Sequence, residues 1–137
     1  MEAEDYRQIE ELLYRSFWLI DHGRAEKCAE LFTKDGALTF GPGAPSPGTI
    51  SGADIAISMS RRQAQSAVTS RHVLSNILIE DDGDGKATMR SLLTLFRTES
   101  NDMRSEVKSV ADIEDIVAYN GTGWKIEHRT ITPIFSL

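Results

Sequence analysis

Tyr6, Ile9, Leu13, Phe17 and Ile20 recur three and four residues apart, which predicts a helix from residue 3 to about residue 22 with one continuous apolar face. Tyr14 and Trp18 add a second stripe about a quarter-turn or more away. A helix apolar on more than one face is expected to be mostly buried. Gly23 ends it, since glycine is free to take the left-handed conformation that closes helices. A shorter helix follows, with Ala25, Cys28, Ala29 and Phe32 on one face. Lys34-Asp35-Gly36 reads as a turn into a short strand from Ala37 to Phe40.

The segment from Gly41 to Gly48 is rich in glycine and proline and breaks the pattern as a loop within one domain. Ser51-Gly52-Ala53-Asp54 resembles a capping box, with Asp in place of the usual Glu or Gln, and starts a third helix running to about Gln65. From there the period is two. Arg71 to Glu80 alternates, Asp81 to Gly85 turns it, and Ala87 to Thr98 returns. Residues 99 to 106 are polar and expected to form a mobile loop. Val107 to Tyr119 and Trp124 to Ile134 make a second hairpin through Asn120-Gly121. Helices followed by a run of antiparallel strands indicate an α+β fold. Three helices on one face of a curved sheet would leave a cavity between the layers. Both faces of the strand after Arg71 are substantially apolar, so it is expected to be covered on both sides, by the helices and by a second subunit.

Composition narrows the picture little further. The chain has 137 residues, 40% apolar and 26% charged, enough for one core and one domain over 1–137. No apolar run nears the roughly 20 residues that cross a bilayer. The acidic start, Met1 to Asp5, lacks the basic and then apolar pattern of a secretory signal. One cysteine, Cys28, cannot form an internal disulfide, so a reducing cytoplasm is the expected compartment. The net charge of −6 argues against nucleic acid, whose affinity comes largely from neutralised phosphates.

The candidate chemistry is sparse. His22, His72 and His128 have no metal-ligand spacing, so no metal and no cofactor is expected. Asp21 stands near the end of the first helix and His72 early in a strand, with Leu74, Asn76 and Leu78 on its side. From spacing alone Asp21 reads first as a turn residue and His72 first as a satisfied core histidine. If the two meet, a carboxylate holding an imidazole can do general acid–base work, such as loss of water, double-bond migration or an aldol-type closure.

Four pieces together carry a family likeness: a helix ending in Asp21, then Ala29-Glu30-Leu31-Phe32-Thr33-Lys34-Asp35-Gly36, then Thr69-Ser70-Arg71-His72-Val73-Leu74-Ser75-Asn76, and Gly123-Trp124-Lys125-Ile126 with Arg129. The chain resembles the SnoaL-like group of the nuclear-transport-factor-2-like superfamily, which is similar to scytalone dehydratase, polyketide cyclases and the small subunits of ring-hydroxylating dioxygenases. The resemblance implies a cone-shaped, cystatin-like α+β barrel with a pocket between helices and sheet. It also implies a catalytic pair at Asp21 and His72. Around them a small apolar or aromatic ligand would meet Tyr14, Trp18, Phe40, Asn76 and Arg129. Arg129 has the opposite parity to Trp124 and Ile126, so it needs a bulge to reach that pocket. Two classes of function follow: a cofactor-free dehydratase, isomerase or cyclase, and a non-catalytic ligand binder or oxygenase small subunit. The expected assembly is a homodimer or homotrimer.

Overall fold

The computed structural model describes residues 1–100 and 103–137. Helix α1 spans Ala3–Asp21, a 3-10 helix spans Ala25–Leu31, and α2 spans Ala53–Ala64. The strands are β1 (Phe32–Phe40), β2 (Gly48–Ser51), β3 (Thr69–Gly83), β4 (Lys86–Thr98), β5 (Val107–Tyr119) and β6 (Trp124–Ser136). They form one six-stranded sheet in the order β2-β1-β6-β5-β4-β3. All neighbours are antiparallel except β1 and β6, which run parallel. The helices lie on one face of this mixed, mostly antiparallel sheet, giving the α+β architecture that the element order predicts.

The core is the inner face of the sheet against α1. Ile9, Leu12, Leu13 and Phe17 pack with Met89, Leu93, Ile113, Val117, Trp124 and Ile126, all buried. One stripe of α1 faces this core. Tyr14 and Trp18 lie outside it, 47% and 67% exposed, because a single helical layer has nothing packed on its outer side. That outer face also carries the Arg7–Glu4 and Arg15–Glu11 ion pairs. The start of α1 is fixed by Asp5, whose carboxylate accepts the Glu2 backbone N–H at 2.8 Å and the Trp124 indole N–H at 2.9 Å.

Three local expectations are corrected. The second helix is a 3-10 turn rather than α-helix. The first strand begins at Phe32, and the Lys34-Asp35-Gly36 turn is an irregularity inside it, between the Phe32–Ile126 and Ala37–His128 pairings. A Cβ on Gly36 would lie 3.0–3.1 Å from backbone oxygens of Thr33 and Ile126, so glycine is needed there. Ser51 belongs to β2, paired with Ala37, instead of capping a helix. Gly52 holds the cap position with φ +56 and no side-chain bond. Of the polar loop expected at 99–106, residues 101 and 102 lie outside the described residues. The outer side of β3, expected to meet a second subunit, is exposed in the single chain, with Val73 50% and Leu78 67% exposed.

Two bulges decide which side chains reach the interior. In β3 the pairing with β4 shifts between Ser75 and Leu78, and Asn76 there adopts φ +55. The parity changes across it. His72 and Leu74 face inward before the bulge, and Ile77 and Ile79 after it. In β6 the pairing with β5 shifts between the Ile116–His128 and Val117–Ile126 pairs. Arg129 thereby joins Trp124 and Ile126 on the buried face.

Candidate active site

A cavity of about 640 Å³ lies between the sheet, α1, α2 and the Gly/Pro-rich loop. Its walls are mainly apolar, with Phe17, Ile20, Phe32, Leu38, Phe40, Met59, Leu93, Leu95 and Ile131 among them. His72, Ser70, Arg62, Arg97 and Arg129 supply convergent polar groups. An apolar cleft of this size with few polar groups is the usual form of a small-molecule site.

Asp21 is the last residue of α1, and its side chain turns toward β3. Its Oδ1 accepts from His72 Nδ1 at 2.6 Å and from Ser70 Oγ at 2.7 Å. Its Oδ2 accepts the His72 backbone N–H at 2.9 Å. An ionised carboxylate only accepts, so these bonds assign the proton to Nδ1 and leave the Nε2 lone pair for the cavity. Phe17 packs beside the imidazole with ring centroids 4.8 Å apart. Burial is the largest influence on the Asp21 carboxyl and pushes its pKa up. The bonds and charge of His72, with Ser70, outweigh it and hold the pKa below the ordinary value of 3.8. The chain of bonds continues outward, since Arg62 Nη2 donates to Ser70 Oγ at 2.9 Å.

Arg129 forms the opposite wall. Its Nε and Nη2 donate to the two oxygens of Asp115 at 2.7 and 2.8 Å, and both residues are buried. The guanidinium also lies over the rings of Phe17 and Phe32, 5.1 and 5.9 Å from their centroids. Cys28 lines the cavity as a small buried group, its thiol donating to the Ser16 carbonyl at 3.1 Å. Burial pushes that thiol up to about 11, far from nucleophilic reactivity.

Of the residues singled out in the sequence, Asp21 and His72 are joined, and His72, Phe40 and Arg129 line one cavity. Tyr14 and Trp18 do not. Trp18 stacks on His22 on the outside of α1, with centroids 4.1 Å apart. Asn76 is exposed at the β3 bulge instead of pointing inward. Sequence reasoning missed Asp115, Ser70, Arg62 and Arg97. Asp115 was legible as a charge between Ile113 and Val117 on the apolar parity of β5, which demands a buried partner.

The SnoaL-like domain model matches residues 1–130. The chain belongs to the SnoaL-like domain family. No curated protein matches its sequence closely enough to count as a relative. Among solved structures, it is similar to an NTF2-like protein with a cystatin-like fold from Novosphingobium aromaticivorans. The two share 27% identity over 96% of this chain and 82% of that one, with a TM-score of 0.80. A candidate scytalone dehydratase from the same organism is 18% identical, covering 98% of this chain and 87% of its own, with a TM-score of 0.81. The beta subunit of a candidate aromatic-ring-hydroxylating dioxygenase, again from that organism, is 15% identical over 99% and 94%, with a TM-score of 0.80. At those identities the last two speak to the shared fold. Among the described residues no helix is long and apolar enough to cross a membrane.

Proposed function

We propose that this SnoaL-like domain is a cofactor-independent acid–base enzyme of the dehydratase, isomerase or cyclase kind, acting on a small ring compound. The observation that carries the reading is the 2.6 Å bond from His72 Nδ1 to Asp21, made by a histidine on the wall of an apolar cavity. Nε2 removes a proton from a carbon next to a carbonyl, and Asp21 stabilises the imidazolium that forms. The same nitrogen then returns the proton, to a departing hydroxyl in a dehydration or to a neighbouring carbon in an isomerisation. Arg129 Nη1, which has no protein partner among the described residues, is placed to donate to a ligand oxygen. The likeness to a candidate scytalone dehydratase agrees with this class of chemistry. The likeness to a dioxygenase beta subunit keeps a non-catalytic role as the competing reading.

A substrate-independent test follows α-proton exchange of 1-tetralone in D₂O by NMR. The chain is expected to accelerate exchange above buffer, and His72→Ala to lower that acceleration by about 10²–10⁴, the usual contribution of a general base. Far-UV circular dichroism checks that the variant stays folded. Equal exchange in wild type and a folded His72→Ala would remove the catalytic reading and favour the ligand binder.

A further inference from the structure

The guanidiniums that reach the cavity keep N–H groups without acceptors among the described residues. Its lining includes Arg62, Arg97 and Arg129, and no Asp or Glu among the described residues. Asp115 neutralises Arg129 through two short bonds. Arg97 is engaged only through Nε, by Glu99, whose side chain is 67% exposed and screened by water. Both Nη groups of Arg97 have no protein partner among the described residues. Arg62 donates to the hydroxyl of Ser70, which in turn donates to Asp21, and no carboxylate accepts from Arg62 directly among the described residues. Asp21 and Glu99 stand behind this pair, so a chain of net charge −6 turns guanidinium N–H groups, and no carboxylate among the described residues, into the apolar cavity.

The two guanidiniums converge. Arg97 and Ser70 are directly paired across β3 and β4, so their side chains share the inner face, and Arg62 reaches the same Ser70 from α2. His72 is the next inward residue along β3, paired with Leu95. Burial pushes the Arg62 guanidinium below its ordinary value and the charge of Arg97 adds to this, while the carboxylates of Asp21 and Glu99 pull the other way. Guanidinium N–H groups left without acceptors in a partly desolvated place are unfavourable until a ligand acceptor joins them. Guanidinium forks suit a carboxylate, which can accept two parallel N–H bonds.

We propose that the ligand of this cavity is anionic: an apolar ring bearing a carboxylate that is held by Arg62 and Arg97, with the ring lying along the apolar wall beside His72. This deepens the acid–base reading and rests on it for the placing of the reactive ring. The positive pair also lowers the cost of developing negative charge when His72 removes a proton.

The experiment measures binding by calorimetry with two probes of nearly equal shape, 2-naphthoate and uncharged 2-naphthamide. Wild type is expected to bind 2-naphthoate at least tenfold more tightly, with the advantage shrinking as salt rises. Arg97→Gln and Arg62→Gln are each expected to erase the advantage while leaving 2-naphthamide binding little changed, which also shows that the variants are folded. Equal or tighter binding of 2-naphthamide by wild type would overturn the proposal, as would failure of both probes to bind. A preference surviving both substitutions would also overturn it and place the anion on Arg129. The tetralone exchange uses an uncharged probe and is read separately. Loss of the charge preference with exchange intact sinks this proposal alone, whereas a preference for 2-naphthoate without any exchange sinks the acid–base reading and keeps the anion site.

Discussion

A carboxylate in the last turn of a helix faces the negative end of the helix dipole, an arrangement that costs about 0.3–1 kcal/mol at an exposed site. Asp21 stands there with no basic residue in the last turn of α1. Bonds from His72 and Ser70 compensate, and the Arg71 Nη1 donates to the Asp21 carbonyl at 3.1 Å. Because the Asp21 pKa is lowered on folding, its stabilisation is fully present above the ordinary value of 3.8 and is lost as pH falls through the folded value. Urea melts should therefore show Asp21→Asn less stable than wild type at pH 6, with the gap narrowing below about pH 4. A gap that widens in acid would contradict the linkage. At the other wall, Asp115→Ala leaves the buried Arg129 charge unpaired and should cost about 3–5 kcal/mol in the same measurement. A loss under about 1 kcal/mol would show that water reaches Arg129 freely.

Among elements, the long strands are shaped by their irregularities as much as by their alternation. Asn76 tolerates φ +55 because its short polar side chain suits the left-handed region, where a β-branched residue is strained. Asn76→Val should lower stability by about 1–2 kcal/mol while Asn76→Gly changes it little, read by thermal melts. Equal melting temperatures would mean that the bulge relaxes. The bulge is also why Leu78, on the His72 parity by simple counting, is turned to solvent. The same logic in β6 brings Arg129 inside, where strict alternation from Ile126 would leave it out.

For the whole molecule, the uncovered side of the sheet is the feature left without a partner. Val73, Leu78, Phe96, Val107 and Phe135 are between 36% and 70% exposed on strands β3 to β6. Cross-strand pairing puts Phe96 and Val107 together, and Phe135 opposite Val110. Apolar side chains exposed together on one sheet face are the usual form of an interface. We propose that two or three copies bury it, as the two-sided apolar pattern of β3 anticipates. Sedimentation at micromolar concentration should give a dimer or trimer, and Leu78→Asp should shift it toward the monomer. A single wild-type species of the chain's own mass would end this idea.

Periodicity determined most elements, because each periodic run is long enough for its buried face to repeat several times. The stripe from Ile9 to Phe17 and the alternation in the four long strands are such runs. The family likeness placed Asp21 and His72 together, which spacing alone left open. Tertiary structure decided the rest. A helix carries no record in its sequence of how many sides will be covered, so Tyr14 and Trp18 read as interior until the single helical layer leaves them outside. Bulges likewise escape a count of two, because one extra residue changes facing without changing composition. Asn76 was lost from the site and Arg129 kept in it for that one reason. Arg62, Ser70 and Arg97 come from α2, β3 and β4, and only the register that sets Ser70 opposite Arg97 gathers them around one end of the cavity.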